Sequence, residues 1–500
     1  MIDVRQIDDE IRSGLQNERD RLNAARECAD FYLGRFEAYS TRPPSSAWEG
    51  SKYARSSLVM NRIVKVLTRD LYAQGPARLL PDFPPAQEWL NQVYKFCGID
   101  AILQGADRWA TVGDVAALQV EAVEGAEDPG RAVRVVLWPA DQFCVWTGAE
   151  DPLTPVAVAT LDRYDNRRRL RLWTAETLTT YTTTKLAPGQ TAGGTAYEFV
   201  DAVPNPYGLL PFAFVHFEHP TTDFWSGGIG TNLRDLNDYV NYYLTESGDS
   251  LRYCGKPIIK AFGVRAGWRP NTPIRPGDIW DLPAEGMDAA GNGIPPDVAY
   301  LQPEMGFVDA GWLDLQNFLD HSLETYGVPP AAIRMVQDAA RSGVSIVAEQ
   351  IPLLKWAQSR QRPFSCYEHE LARVVLGVGA RYLGLNGVPS DALAAAARDS
   401  DLNLRWPNLL AGVVDEAQDA RDARRLQLGL TSRIQLIMRD QNCSRAEAIE
   451  ALEQIAEDRA LEEELLGPDA AVLGPMPPAA GGDPEAEFIE EGIEGGEDQA

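Results

Sequence analysis

Two stretches of amphipathic helix, Ile229–Leu251 and Val308–Tyr326, bracket an insert too rich in proline and glycine to continue either one, and this order constrains the fold more than any other feature. In the first stretch Ile229, Leu233, Leu236, Val240, Tyr243 and Leu251 recur every three to four residues, the spacing of one buried stripe. At about 1.5 Å per residue such a helix is roughly 35 Å long. From Pro257 to Pro303 the chain reads as irregular and short-stranded. Its bases (Lys256, Lys260, Arg265, Arg269, Arg275) come first, and its acids, from Asp278 to Glu304, follow. Val308, Trp312, Leu315, Leu319, Ser322 and Tyr326 then repeat the helical spacing. The charges of this second stretch, Asp309, Asp314, Asp320 and Glu324, are all negative. The order is helix, small module, helix.

The flanking sequence divides by texture. Asp3–Leu33 has the periodicity of a helix, a second helix runs through LVMNRIVKVLTRDLYAQG to Gly75, and a third covers Ala86–Thr111. Between Val115 and Pro220 the apolar residues alternate with polar ones or are β-branched, with Gly, Pro and Asp clusters between, which predicts an antiparallel sheet. Gly343–Leu383 predicts a long helix carrying Pro352 and Pro363, the latter expected to kink it. Ser432-Arg433-Ile434-Gln435 and Ser444-Arg445-Ala446-Glu447 both fit the capping box of a helix start. Beyond Gly467-Pro468 the composition turns to Ala, Pro and Gly. Asp483–Ala500 holds eight acids and no base, the signature of a disordered tail.

With 500 residues the chain exceeds one compact core, so two to four structural regions are expected. Acids outnumber bases 73 to 46, a balance that repels nucleic acid over most of the surface. The six cysteines stand no closer than 47 residues, which leaves no zinc-type spacing and predicts buried free thiols in a reducing compartment. The N-terminal residues lack the apolar core of a signal peptide, and no run of 18 apolar residues predicts a membrane span.

Chemistry-bearing motifs are lacking as well. Gly255-Lys256 has Ser250 where a phosphate loop needs its first glycine. Gly228-Ile229-Gly230 supplies two of the three glycines of a dinucleotide fingerprint and reads as a flexible lead-in to the helix. His216 and His219 stand three apart at a strand end, and His369-Glu370 lacks a second histidine. A carbohydrate-cleaving hydrolase needs paired carboxylates and aromatic platforms. Trp89, Trp138, Trp173 and Trp312 instead sit inside strand or helix patterns, where core packing explains them. No catalytic residue, metal site or cofactor is expected. Such a hydrolase, or another ring or capsid-associated scaffold with the same plan, are the alternative readings.

From Leu58 to about Glu457 the order of motifs resembles the portal, or head-to-tail connector, proteins of tailed bacteriophages. LVMNRIVKVLTRDLYAQGPARLL is similar to an early helix of that family, and FVDAVPNPYGLLPFAFVHFEHP to the strand and turn before its stem. GIGTNLRDLNDYVNYYLTESGDSLRYCGKPIIKAFG looks like the first stem helix. DVAYLQPEMGFVDAGWLDLQNFLDHSLETYGVPP resembles the last clip strand plus the second stem helix. RSGVSIVAEQIPLL resembles the lead-in to the long wing helix, with Ile346 where Ala is frequent. LRWPNLLAGVVDEAQDARDARRLQLGLTSRIQLIMRD is similar to the region near the crown, with Ala411-Gly412-Val413 in place of the usual Pro-x-Asp.

The resemblance implies an α+β portal fold assembling into a ring, usually twelvefold, around a central channel. Wing (1–225), first stem helix (226–256), clip (257–305), second stem helix (306–327), tunnel loop (328–342), kinked wing helix (343–400), crown (401–466) and acidic tail (467–500) would follow in order. It implies a place at one capsid vertex of a virion assembled in the host cytoplasm. Double-stranded DNA would pass transiently through the channel, and no membrane is involved. The partners implied are further copies of the chain, the terminase large subunit, a head-completion or adaptor protein, and the major capsid and scaffolding proteins. Arg334, Gln337 and Arg341 would face DNA from the tunnel loop, and Trp268, Arg269, Arg275 and Trp280 would bind partners from the clip. An acidic stem wall suits sliding, because each phosphate contact adds affinity and retards motion.

Overall fold

The computed structural model describes residues 4–35, 39, 57–148, 150–164, 167–183, 197–225, 227–254, 258–262, 295, 297–301, 306–325, 328, 343–382, 390–399, 401–409, 416–441 and 445–466. The chain forms two compact units divided between Val413 and Val414.

The first unit is mixed helix and sheet. Its N-terminal periodicity resolves into two helices, α1 (Val4–Arg12) and α2 (Arg19–Leu33), because Gly14 and Leu15 both take positive φ, 87° and 56°, which no α-helix tolerates. The stretch expected to run to Gly75 forms only α3 (Val59–Leu67); there the Thr68 hydroxyl donates back to the Val64 carbonyl at 2.9 Å. A short strand β1 (Ala77–Leu79) follows. The third helical stretch is likewise two, α4 (Pro84–Cys97) and α5 (Ile99–Gly113), joined at Gly98 with φ 63°.

Eight antiparallel strands then form two sheets where the alternation predicts one. The strands are β2 (Val115–Ala122), β3 (Val133–Pro139), β4 (Phe143–Thr147), β5 (Pro155–Tyr164), β6 (Arg167–Thr174), β7 (Thr177–Thr182), β8 (Glu198–Pro204) and β9 (Phe212–His216). One sheet has the order β3-β2-β9, the other β4-β5-β6-β7-β8. The second is apolar on both faces near β4–β6, as strand alternation requires when both sides are covered. Val145, Val158 and Trp173 enter the central core, while Cys144, Ala159, Leu170 and Leu172 receive Ile7, Ile11 and Leu15 from the α1 region. The Trp146 indole donates to Glu10 at 3.1 Å and the Tyr181 hydroxyl to Asp8 at 2.7 Å, which fixes α1 on that face.

After α6 (Gly230–Cys254), the hairpin β10 (Ile258–Phe262) and β11 (Asp297–Leu301), and α7 (Gly306–Thr325), the 40-residue α8 (Gly343–Tyr382) closes the core, with Pro352 and Pro363 inside it. Helix α9 (Ser390–Asp399) packs on α8, and β12 (Asn403–Arg405) pairs antiparallel with β1. Thus residues 403–405, which the sequence groups with the C-terminal helices, pair inside the first unit. Arg78 of β1 is gripped by Glu368 of α8 through two bonds, of 2.6 and 2.8 Å, and Tyr72 donates to the same carboxylate at 3.0 Å.

The second unit comprises α10 (Glu416–Gln427), α11 (Arg433–Gln441) and α12 (Arg445–Leu466). The first capping box forms: the Gln435 N–H donates to the Ser432 hydroxyl at 3.1 Å and the Ser432 N–H to Gln435 Oε1 at 3.2 Å. Ser444 of the second lies outside the described residues. The described cysteines Cys28, Cys97, Cys144 and Cys366 are free thiols; Cys28 and Cys144 are buried, whereas Cys366 is exposed, contrary to expectation.

His216 ends β9 inside the core, its ring 4.9 Å from that of Phe224. Burial, and secondarily the neighbouring His219, hold its pKa at about 4. The unfolded chain therefore takes up a proton near pH 6.5 that the folded state refuses until about pH 4. Stability from the neutral ring is complete above pH 6.5 and is lost as pH falls through that window, by roughly 3 kcal/mol at most. Glu370, pushed up to about 7 mainly by burial, acts oppositely between about 4.5 and 7. Urea titrations of the wild type and His216→Gln at several pH values separate the two. The wild type is expected to weaken relative to the variant as pH drops from 6.5 to 4, and parallel curves would refute the assignment.

Candidate assembly surface on a helix pair

Helix α6 begins where the sequence places a flexible glycine lead-in, and the structure corrects that reading. A Cβ on Gly230 would overlap the Val112 carbonyl at the end of α5, and one on Gly228 would overlap the Asp114 carboxylate. Both glycines are there for close approach of backbone to backbone and to a fixed side chain. Asp114 itself holds φ 73° and accepts the Gly228 N–H, so the start of α6 is clamped to the turn between α5 and β2.

Along α6 the apolar stripe behaves as its spacing predicts: Leu233, Leu236 and Val240 are buried against α2, α3 and α7. A second, polar stripe is buried beside it. Asn237 and Asn241 have no exposure, and Thr245 has almost none. The Met60 N–H donates to Asn237 Oδ1 at 3.0 Å and the Ser57 N–H to Asn241 Oδ1 at 2.6 Å. Helix α3 has no capping side chain of its own at Leu58, so α6 supplies the acceptors its first turn needs. Asn237→Ala is expected to lower stability by about 1–2 kcal/mol, because it strands a buried N–H. A guanidinium unfolding midpoint equal to that of the wild type would overturn this role.

Helices α6 and α7 run antiparallel. The rings of Tyr239 and Phe318 lie 4.8 Å apart, and farther along α6 the Tyr243 hydroxyl lies over Gly311, earlier in α7. Between them the chain passes through β10 and β11, paired from Ile258↔Leu301 to Phe262↔Asp297 and, among the described residues, with no other strand. A two-stranded ribbon is marginal in water unless something packs on it.

The pair exposes large apolar side chains. Tyr239, Tyr242, Trp312, Leu313 and Phe318 are 42–59% exposed. Trp312 contradicts the expectation of a core position. It continues the stripe of Leu315, Leu319 and Leu323, of which Leu315 and Leu323 are buried. At about 100° per residue, Leu313 projects about 100° from Trp312 and Phe318 about 240°. Exposed apolar groups therefore point in three directions around α7. Large apolar side chains exposed together on one helix mark an interaction surface. Asp314 and Glu324 are exposed between them.

No protein-family model matches the chain, and neither does any curated protein. Among solved structures it is similar, at 14% identity, to a chain of the virion of the native gene transfer agent (GTA) particle, with a TM-score of 0.40 over 75% of this chain and 88% of that one. A chain from the neck of the empty GTA particle, computed with C6 symmetry, gives 0.41 at 14% identity over the same shares. One from the neck of the native GTA particle, computed with C12 symmetry, gives 0.39 at 14% identity over 74% and 85%.

The candidate channel residues Arg334, Gln337 and Arg341, and the candidate partner-binding residues Trp268, Arg269, Arg275 and Trp280, all lie outside the described residues. Trp89, Trp138 and Trp173 are core residues, as their patterns predict, and so form no sugar platform. Among the described residues no three His, Cys, Asp or Glu are grouped to hold a metal ion, and no helix is long and apolar enough to cross a membrane. The residues missed by sequence reasoning are Asn237 and Asn241. Their four-residue spacing on an otherwise apolar-striped helix was the available signal.

Proposed function

We propose that this chain is a structural subunit of a phage-like virion, specifically the portal: a ring at one capsid vertex through which double-stranded DNA is packaged and ejected. The observation that carries the reading is the antiparallel pair α6 and α7, joined through a β ribbon that pairs with no other strand among the described residues, with large apolar groups of α7 exposed in the single chain. Copies of the same chain are the natural occupants, because a head-to-tail contact repeated around a closed rotation gives every copy two neighbours. The motif order from Leu58 to about Glu457 supports the same assignment, as does the acidic charge, which keeps DNA from settling on the walls. In this role the insert between the helices docks the terminase large subunit during packaging and a head-completion protein afterwards. The outer body meets capsid and scaffolding proteins. The role is architectural rather than enzymatic.

Native mass spectrometry of the purified chain tests the reading. The expected mass is a multiple near twelve of the 55.0 kDa subunit, with negative-stain images showing a central channel. A strictly monomeric species at all concentrations would overturn it.

A further inference from the structure

The most exposed leucines among the described residues, Leu428 and Leu430 at 63% and 66%, stand together at the turn between α10 and α11. Backbone bonds fix that turn. The Gly429 N–H donates to the Leu426 carbonyl at 3.1 Å and the Leu430 N–H to the Arg425 carbonyl at 2.9 Å, with Gly429 at φ 66°, which is a Schellman motif. The motif returns Leu430 to the level of Arg425, and Leu428 lies one turn beyond Arg424 on the same face. Arg433 opens α11 three residues after Leu430. All three arginines are exposed, and none has an ion pair or side-chain hydrogen bond with another described residue. From Ala423 to Arg439 the chain holds four arginines and no acid. Leucines set among unpaired guanidinium groups fit an occupant that is acidic and apolar at once.

The same compact unit, Val414–Ala500, contains such a segment. Asp483–Ala500, outside the described residues, has eight acids and no base, and its large apolar residues Phe488, Ile489 and Ile493 stand among Glu487, Glu490, Glu491 and Glu494. We propose that this acidic segment docks on the α10–α11 turn of its own chain. Phe488 and its apolar neighbours cover Leu428 and Leu430, and the glutamates meet Arg424, Arg425 and Arg433. The intervening residues 467–487 extend to about 70 Å, twice the roughly 33 Å of α12, so the segment reaches back past that helix. Helix α12 offers no rival site, because its eight acids against two arginines repel the segment. Tethering supplies an effective concentration on the order of millimolar, so weak, salt-screened contacts suffice. A separate acidic partner lacks that tether. This inference does not depend on the portal reading.

The test puts the photocrosslinking residue p-benzoylphenylalanine in place of Phe488 in the full-length chain and maps its adducts by peptide mass. Adducts are expected within residues 424–433, on a product with the denatured mass of one chain. Their yield should fall as salt rises from about 50 to about 500 mM. Arg424→Glu/Arg425→Glu should cut the yield at least about fivefold, with circular dichroism verifying the helices. If that variant loses helix content, Arg424→Gln/Arg425→Gln takes its place. Adding Glu487→Lys/Glu490→Lys/Glu491→Lys to the charge-reversed chain should restore the adducts, which a merely damaged turn would not allow. Adducts that map elsewhere, or a product with the mass of two chains, would overturn the proposal. So would a yield indifferent to salt and to the arginine substitutions, or the absence of recovery in a folded charge-swapped chain. The undenatured mass of the same samples reports assembly separately.

Discussion

Trp312→Asp/Leu313→Asp is expected to leave a folded 55.0 kDa monomer in place of the proposed ring. Both side chains are about half exposed in the single chain, 49% and 59%, so removing them costs the subunit little of its own core. In an assembly they would be covered. Burying such a side chain is worth about 1.5–3 kcal/mol, and a Trp at the centre of an interface is among the residues whose truncation costs 2 kcal/mol or more. Aspartate adds the desolvation of two charges beside the exposed Asp314, and every interface of the ring carries the same defect. The milder Trp312→Ala/Leu313→Ala should raise the concentration needed for assembly without abolishing it. Native mass spectra across a dilution series read both outcomes, with circular dichroism verifying helix content. A ring of wild-type mass from the aspartate variant would show that α7 does not make the contact.

How far the sequence reveals this surface depends on what its periodicity records. Spacing reports which residues share a face, and so it places Leu233, Leu236 and Val240 together correctly. It does not report how far the neighbouring body extends, and Trp312, on the same stripe as Leu315, is left in the open for that reason. Asn237 and Asn241 look like solvent-facing positions because asparagine is polar. Their burial follows from the uncapped first turn of α3, some 180 residues earlier, which no local window contains. The same limit explains the sheets. Alternation marks the strand region but runs β6 and β7 together as one segment, and β9 pairs with β2 across the whole of the other sheet, a partner choice set by packing against α5 and α8. The glycines before α6 carry a signal legible in kind but not in cause: Gly230 answers to a carbonyl on another helix. The channel and insert candidates rest on the family resemblance alone.

The interior offers the other large effect. Asp107→Ala is expected to destabilise the first unit by about 3–5 kcal/mol, because it leaves a guanidinium buried without its carboxylate. Arg360 lies in α8 just before Pro363, where the helix ladder lacks an N–H, and is 5% exposed. Its guanidinium pairs with the fully buried Asp107 of α5 and donates to the Phe217 carbonyl past β9 at 2.7 Å. The rings of Phe217, Phe364 and Trp356 lie 5.0, 5.3 and 5.7 Å from its guanidinium carbon. One side chain therefore ties α8 to α5 and to the end of the central sheet. The pair is not fully satisfied, since Asp107 Oδ2 and Arg360 Nε lack partners, and burial raises the Asp107 pKa against the opposing pull of Arg360. Charge attraction is then not the whole of its worth, and Asp107→Leu/Arg360→Met should cost less than either single removal, with the stranded Phe217 carbonyl as its main loss. Guanidinium unfolding of the three variants decides the matter. A double variant as unstable as Asp107→Ala would refute the unpaired buried charge as the main penalty of that single removal.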